Sequence, residues 1–221
     1  MKTKDRAARI LQELQKTFPL PEWTDSHKKP FRTLIRTVLS QATADRNTDR
    51  AFSNLSERFP ITPEALAKAN VEEIEEVIRV AGLYRNKSRV IKNISSVILD
   101  QFDGSLDFIY SLPLEKARNK LMSLPGVGAK TADIVLLFCA EKPVIPIDTH
   151  VKRVTKRLEL APSKSNYEEI REALQSLYPP QDCLPIHLLL ISLGRRYCTA
   201  RKPLCKTCPV STLCPSKRIE D

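Results

Sequence analysis

The sequence predicts an all-α fold with no substantial sheet. Apolar residues recur at the three- and four-residue spacing of a helix almost throughout. Helix starts are marked by capping residues and prolines. No segment sustains the apolar–polar alternation of a half-buried strand.

The elements follow in chain order. Ile10, Leu11, Leu14 and Phe18 form one apolar helical face, and the loop after it carries Pro19-Leu20-Pro21. Leu34, Ile35, Val38, Leu39 and Ala42 form a second face. Thr62-Pro63 reads as an N-cap followed by proline in the first helical turn. Asn70-x-x-Glu73 has the form of a capping box. Val90, Ile91, Ile94, Val97 and Ile98 make a third face, and Ser111 with Pro113 opens another helix. An apolar helix contains Ile134 to Phe138, and a later one carries Val151, Val154 and Leu158. A second capping box is expected at Ser165-x-x-Glu168. The loops at Pro60, Pro143 to Pro146 and Pro179-Pro180 are proline-rich, and no period of 20–50 residues marks a solenoid.

At 221 residues, 42% hydrophobic and 28% charged, the chain can bury a real core as one large or two small domains. Its net charge of +10 and pI near 9.4 point to an anionic partner, with nucleic acid the commonest candidate. The N-terminal stretch lacks the apolar core of a secretory signal. The longest apolar run, Leu184 to Leu193, is interrupted by Pro185 and His187, so no membrane span is expected. A cytoplasmic, nucleoid-associated protein is expected, or a nuclear one in a eukaryote. In such a reducing compartment six cysteines are not expected to form disulfides.

Beyond about Cys183 the composition shifts to Cys, Arg and Lys, and such a tail cannot build much core alone. Four cysteines fall as Cys198-x6-Cys205-x2-Cys208-x5-Cys214, close enough to surround one compact metal centre. Structural zinc sites usually show two close cysteine pairs, and here there is one. A cubane iron–sulfur cluster tolerates the uneven loops better; zinc stays as the alternative. Cys139 and Cys183 sit among apolar neighbours and read as core. His27, His150 and His187 read as surface or structural residues rather than ligands.

The segment Leu124-Pro-Gly-Val-Gly-Ala-Lys130-Thr-Ala-Asp lies between two helical stretches, about 114–140 in all, and has the form of a helix–hairpin–helix. Gly126 and Gly128 allow a tight turn with positive φ. Their backbone N–H groups, with Val127 between them, stand at a helix N-terminus and form a phosphate cradle. A tight interhelical turn is the plainer alternative. Lys130 falls in the first turn of the second helix, where the macrodipole disfavours an ammonium, so its amine is a candidate nucleophile. On charge alone a phosphate-binding lysine is the simpler reading. Asp148, in Ile145-Pro-Ile-Asp148-Thr-His-Val, reads as an N-cap, and a carboxylate held there could also stabilise a developing cation.

Together these features resemble the endonuclease III branch of the helix–hairpin–helix DNA glycosylases. The matching pieces are the hairpin at 124–132, Ile-Asp-Thr-His-Val at 147–151 and the four-cysteine spacing. Ala81-Gly-Leu-Tyr84 with Lys87, and the segment from Phe31 to Asp45, are also alike. The resemblance implies two helical domains: a six-helix barrel over 24–143, and a second domain of 1–23 with 144–221 holding a [4Fe–4S] cluster at 198–214. It implies DNA binding in the cleft between them.

By residue, the resemblance implies Lys130 as the Schiff-base lysine and Asp148 as the essential aspartate. Relatives specific for adenine opposite oxidised guanine share the cysteines but lack this lysine. It implies Leu83 as a wedge into the opposite strand. Gln41 corresponds to a residue that fills the gap left by an extruded base, but it stands one place earlier than in many relatives. Arg201 and Lys202, in the loop pinned by Cys198 and Cys205, are expected to face phosphates. The implied activity is a monomeric bifunctional DNA glycosylase and AP lyase acting on duplex DNA with oxidised pyrimidines or abasic sites. Alternatives are a mismatch-directed thymine or uracil glycosylase, or a non-catalytic DNA-binding module with a structural cluster.

Overall fold

A computed structural model describes residues 2–20 and 29–217 of the chain. Twelve α-helices occur among them: α1 (Thr3–Thr17), α2 (Pro30–Ser40), α3 (Asp45–Arg58), α4 (Pro63–Lys68), α5 (Val71–Ile78), α6 (Tyr84–Phe102), α7 (Phe108–Ser111), α8 (Leu114–Met122), α9 (Ala129–Ala140), α10 (Thr149–Arg157), α11 (Tyr167–Leu177) and α12 (Cys183–Arg196). No strand occurs among the described residues. His27, Pro21 and the expected domain boundary near residue 24 lie outside them.

The chain divides into two compact units, Thr24–Ala140 and Met1–Trp23 with Glu141–Asp221. The second break falls at the end of α9. Pro143, expected with the first unit, has its carbonyl taken by Gln175 Nε2 of α11 at 2.8 Å and belongs with the second.

In the first unit α6 is the central helix. It packs against α4 and α5, while α2 packs against α9 and α3. Its buried face of Ile91, Ile94 and Ile98 follows the helical period, with Val90 and Val97 half-buried beside it. The hairpin helices α8 and α9 are joined by a buried ion pair. Arg118 Nε donates to Asp133 Oδ1 at 2.6 Å, and Asp133 is fully buried. In the second unit α1 packs on α11 and α12, and α10 on α12. Gly194 allows that last approach, because a Cβ there would lie 2.9 Å from the Cβ of His150.

The capping residues that the sequence marks lie at or within about a residue of the helix starts. Thr62 caps α4, accepting from Ala65 N at 3.2 Å, with Pro63 following. Asn70 caps α5 through Glu72 N, without the reciprocal bond from Glu73 that a capping box needs. The second box forms one residue later than expected, from Asn166 and Glu169. Ser111 ends α7, and α8 begins at Leu114. Ala42 leaves the helical face altogether: α2 ends at Ser40, and Ala42 is exposed at φ 51°.

Candidate functional site

The hairpin is built by local bonds. Leu124 N donates to Leu121 O at 3.1 Å and Val127 N to Leu124 O at 3.2 Å, which turns the chain between α8 and α9. Leu124 and Val127 are buried and anchor the turn, whereas Gly126, Gly128 and Lys130 are exposed. Val127 therefore offers only backbone to an outside partner, and its N–H is already used within the turn.

The two glycines differ. Gly126 stands at φ 73°, and a Cβ there would fall 2.8 Å from Val90 Cγ1, so both conformation and space demand glycine. Gly128 has no positive φ, contrary to expectation, and a Cβ there would meet nothing within 4 Å. Nothing in the fold requires glycine at Gly128, but close approach of an external group to the backbone would. The first N–H groups of α9, where that approach would occur, have no acceptor within the helix. Lys130 lies in this first turn.

Two further loops of the first unit carry expected contact residues. Gln41, exposed, donates from Nε2 to Gly126 O at 3.3 Å. Leu83 is the most exposed large apolar residue among the described residues at 65%, and it holds a left-handed conformation (φ 46°, ψ 26°) directly after Gly82 at φ 63°. Such a backbone is uncommon for leucine and costs strain. Lys87 is buried beneath both loops.

In the second unit the segment leading to Asp148 is apolar and buried, with Val144, Ile145 and Ile147 in the core. Its carbonyl at Pro146 lies 3.0 Å from Nδ1 of buried His187, and Ile147 N donates to the Tyr167 hydroxyl at 3.3 Å. Asp148 is half-buried and caps α10, accepting from Val151 N at 2.6 Å through Oδ1. His187 is thus a structural residue that pins the approach to Asp148.

Cys198, Cys205, Cys208 and Cys214 line one partly enclosed cavity of about 40 Å³, roughly three times what a single water needs. Among the described residues no three His, Cys, Asp or Glu side chains converge as ligands of a single ion. Four thiols around a space wider than one ion suit a cubane better than zinc. Burial pushes the Cys208 thiol up to about 11, and the neighbouring Cys198, Cys214 and Cys205 add to this; Cys214 is raised for the same first reason. Thiolates crowded like this need cationic iron to offset their charge.

Three arginines, not singled out by the sequence, shape the loop. Arg153 Nε donates to Cys198 O and its Nη2 to Gly194 O, both at 2.8 Å. Arg157 donates to Thr199 O at 2.7 Å, Ala200 O at 2.9 Å and Cys198 Sγ at 3.4 Å. Arg6 of α1 reaches the far end of the cysteine segment, donating to Leu213 O at 3.4 Å beside Cys214, and also to Leu158 O and to Glu159 O at 3.0 Å. Arg201 and Lys202 are exposed on the loop so held, and Lys202 O accepts from Thr199 Oγ1 at 2.6 Å. A helical period flags an arginine only as polar, so these roles depend on carbonyls far away in sequence. Cys139 and Cys183 are buried core, as expected.

An all-helical chain with a glycine hairpin ending in an exposed lysine, and a separate four-thiol cavity, has the layout of a cluster-bearing helix–hairpin–helix DNA enzyme. Comparison with known proteins makes this specific. Residues 35–180 match the family described as HhH-GPD superfamily base excision DNA repair protein, and residues 198–214 match the iron–sulfur binding domain of endonuclease III. Endonuclease III of Sulfolobus acidocaldarius is 40% identical, over 83% of this chain and 81% of that one. Endonuclease III of Escherichia coli is 34% identical over 99% of both. A solved endonuclease III, trapped as a covalent intermediate with DNA, superposes with a TM-score of 0.85 at 34% identity, covering 98% of each chain. The chain belongs to the endonuclease III family within the HhH-GPD superfamily: it is a DNA glycosylase and AP lyase of base excision repair, with DNA as its partner and a [4Fe–4S] cluster as its cofactor. No helix among the described residues is long and apolar enough to cross a membrane.

Proposed function

We propose that the chain, acting as a monomer, excises oxidised pyrimidines from duplex DNA and cuts the strand 3′ to the abasic site, with Lys130 as nucleophile and Asp148 as the stabilising carboxylate. The observation that carries this reading is Lys130 itself, exposed in the first turn of α9 beside backbone open to a phosphate.

The extruded nucleotide is held by its backbone at the hairpin, where the N–H groups of Gly128 and the first turn of α9 face the phosphate. Lys130 Nζ, as the free amine, attacks C1′ while the bond to the base breaks and the base leaves with a proton. Asp148 stabilises the positive charge that grows on the sugar. Breaking of the C1′–O4′ bond then opens the sugar ring, leaving the ring oxygen as the 4′ hydroxyl and C1′ as an imine with Lys130. The C2′ proton becomes acidic, and its removal expels the 3′ phosphate. Gln41 and Leu83 contact the duplex around the vacated position. Cys198, Cys205, Cys208 and Cys214 would hold the cluster, which supplies a rigid anchor for the loop bearing Arg201 and Lys202.

Borohydride trapping tests this. Lys130→Ala should lose both the trapped covalent complex and strand cutting, with folding and DNA affinity kept. Persistence of the trapped product would overturn the assignment. A panel of lesion-bearing duplexes, read separately for base release and for cutting, tests the substrate class.

A further inference from the structure

The buried amine of Lys87 is not needed for the chemistry above, yet it occupies a built site. Lys87 is only 2% exposed, and its Nζ donates to Leu39 O at 2.7 Å, Thr43 Oγ1 at 2.5 Å and Ala81 O at 2.9 Å. All three acceptors are uncharged. Leu39 O lies in the last turn of α2, and Ala81 closes the 3-10 turn Arg79–Ala81, so a cation there meets the negative ends of two helical segments. Burial lowers the Lys87 pKa from the ordinary lysine value.

The acceptors belong to two loops. Leu39 and Thr43 flank Gln41, and Ala81 precedes the Gly82-Leu83 turn. Each loop holds a left-handed residue that is not glycine, Ala42 at φ 51° in one and Leu83 at φ 46° in the other. Strained residues of this kind persist only where their surroundings over-determine them. Lys87 does so from both sides of the Leu83 turn: its backbone N–H donates to Leu83 O at 3.0 Å, while its Nζ holds Ala81 O. Thr43 Oγ1 joins the loops a second time by donating to Ala81 O. Gln41 Nε2 then links this assembly to Gly126 O of the hairpin.

We propose that Lys87 is a positioning residue for base extrusion: its ammonium locks the Gln41 loop and the Leu83 turn into one rigid unit, so that the two side chains enter the duplex together. The ammonium and Thr43 are the polar ties between the loops, added to the packing of α3 against the Arg79–Ala81 turn. The inference rests on the reading of Gln41 and Leu83 as duplex-contacting residues. Removing the ammonium frees each loop to relax its left-handed residue, which costs orientation at the moment of extrusion rather than general affinity for DNA.

The test is a double-mutant cycle on the full chain with its cluster. Lys87→Met is made in the wild-type background and in Gln41→Ala/Leu83→Ala. Single-turnover excision of thymine glycol at saturating enzyme is measured, with 2-aminopurine beside the lesion reporting extrusion. Lys87→Met should slow excision on the order of 10- to 100-fold and reduce the extrusion signal, with affinity for undamaged duplex kept. In the doubly substituted background it should cost less than about threefold. An equal cost in both backgrounds, or no cost in wild type, overturns the proposal. Should Lys87→Met fail to fold, Thr43→Val, isosteric and only half-buried, should show the same background dependence with a smaller loss, and an equal loss in both backgrounds overturns the proposal again. A wild-type protein that left thymine glycol intact would instead overturn the functional reading. The extrusion signal on duplex with a tetrahydrofuran abasic analogue would then still decide for or against Lys87.

Discussion

Replacing Gly126 with alanine tests the hairpin where its backbone is most constrained. The residue stands at φ 73°, and the new Cβ would lie 2.8 Å from Val90 Cγ1 and 3.3 Å from Cγ2. Holding alanine in the left-handed region costs about 1–2 kcal/mol. The clash adds about 1–3 kcal/mol, because valine is stiff at χ1 and sits on the central helix α6, so it cannot swing aside cheaply. The expected loss is therefore on the order of 2–5 kcal/mol, summed from these two terms. Urea denaturation of Gly126→Ala, Val90→Ala and the pair measures it. The pair should recover the steric share, giving a coupling of about 1–3 kcal/mol, and leave the conformational share unrecovered. Gly128→Ala is the matched control: with nothing within 4 Å, it should leave stability within about 0.5 kcal/mol yet weaken DNA binding. A Gly126→Ala protein as stable as wild type, or a pair with no recovery, would refute the reasoning.

Four other outcomes follow from the same geometry. Asp148→Asn keeps an oxygen able to accept from Val151 N, so melting should barely change while single-turnover excision falls on the order of 10²-fold; a large drop in Tm with the rate kept would make Asp148 only a cap. Asp148→Ala should in addition lose about 1 kcal/mol of stability in chemical denaturation, from the missing cap. Arg201→Ala with Lys202→Ala should weaken damaged and undamaged duplex about equally and lower the slope of log K against log salt by about one to two, read by titration at several salt concentrations. Iron removed by chelation should leave Cys208 protonated up to about 11, so cluster reconstitution should release protons and become more favourable as pH rises; a pH-independent iron affinity would contradict this.

How much of this was legible depends on the range of the interaction. The helices, the hairpin motif, the four-cysteine set and Asp148 at a helix start are local signals. A buried helical face repeats every three or four residues, a cap lies within three residues of its partner, and four cysteines declare a metal centre by number and type. Even there a boundary shifts by one residue, because Asn166 beside Ser165 is also a capping type and is the one that completes the box with Glu169.

What the linear chain could not decide are interactions between residues distant along it. Gly126 needs to be glycine partly because Val90 of α6 packs over it, and Gly128 does not share that constraint. Lys87 reads as a charge near a motif until Leu39 O, Thr43 Oγ1 and Ala81 O close around its Nζ. Arg153 and Arg157 read as the polar face of α10, and only the folded chain brings the carbonyls of Gly194, Cys198, Thr199 and Ala200 to them. Side-chain type announces a donor, but backbone acceptors look identical at every position of a sequence. Which carbonyls a buried cation will meet is therefore set by packing alone.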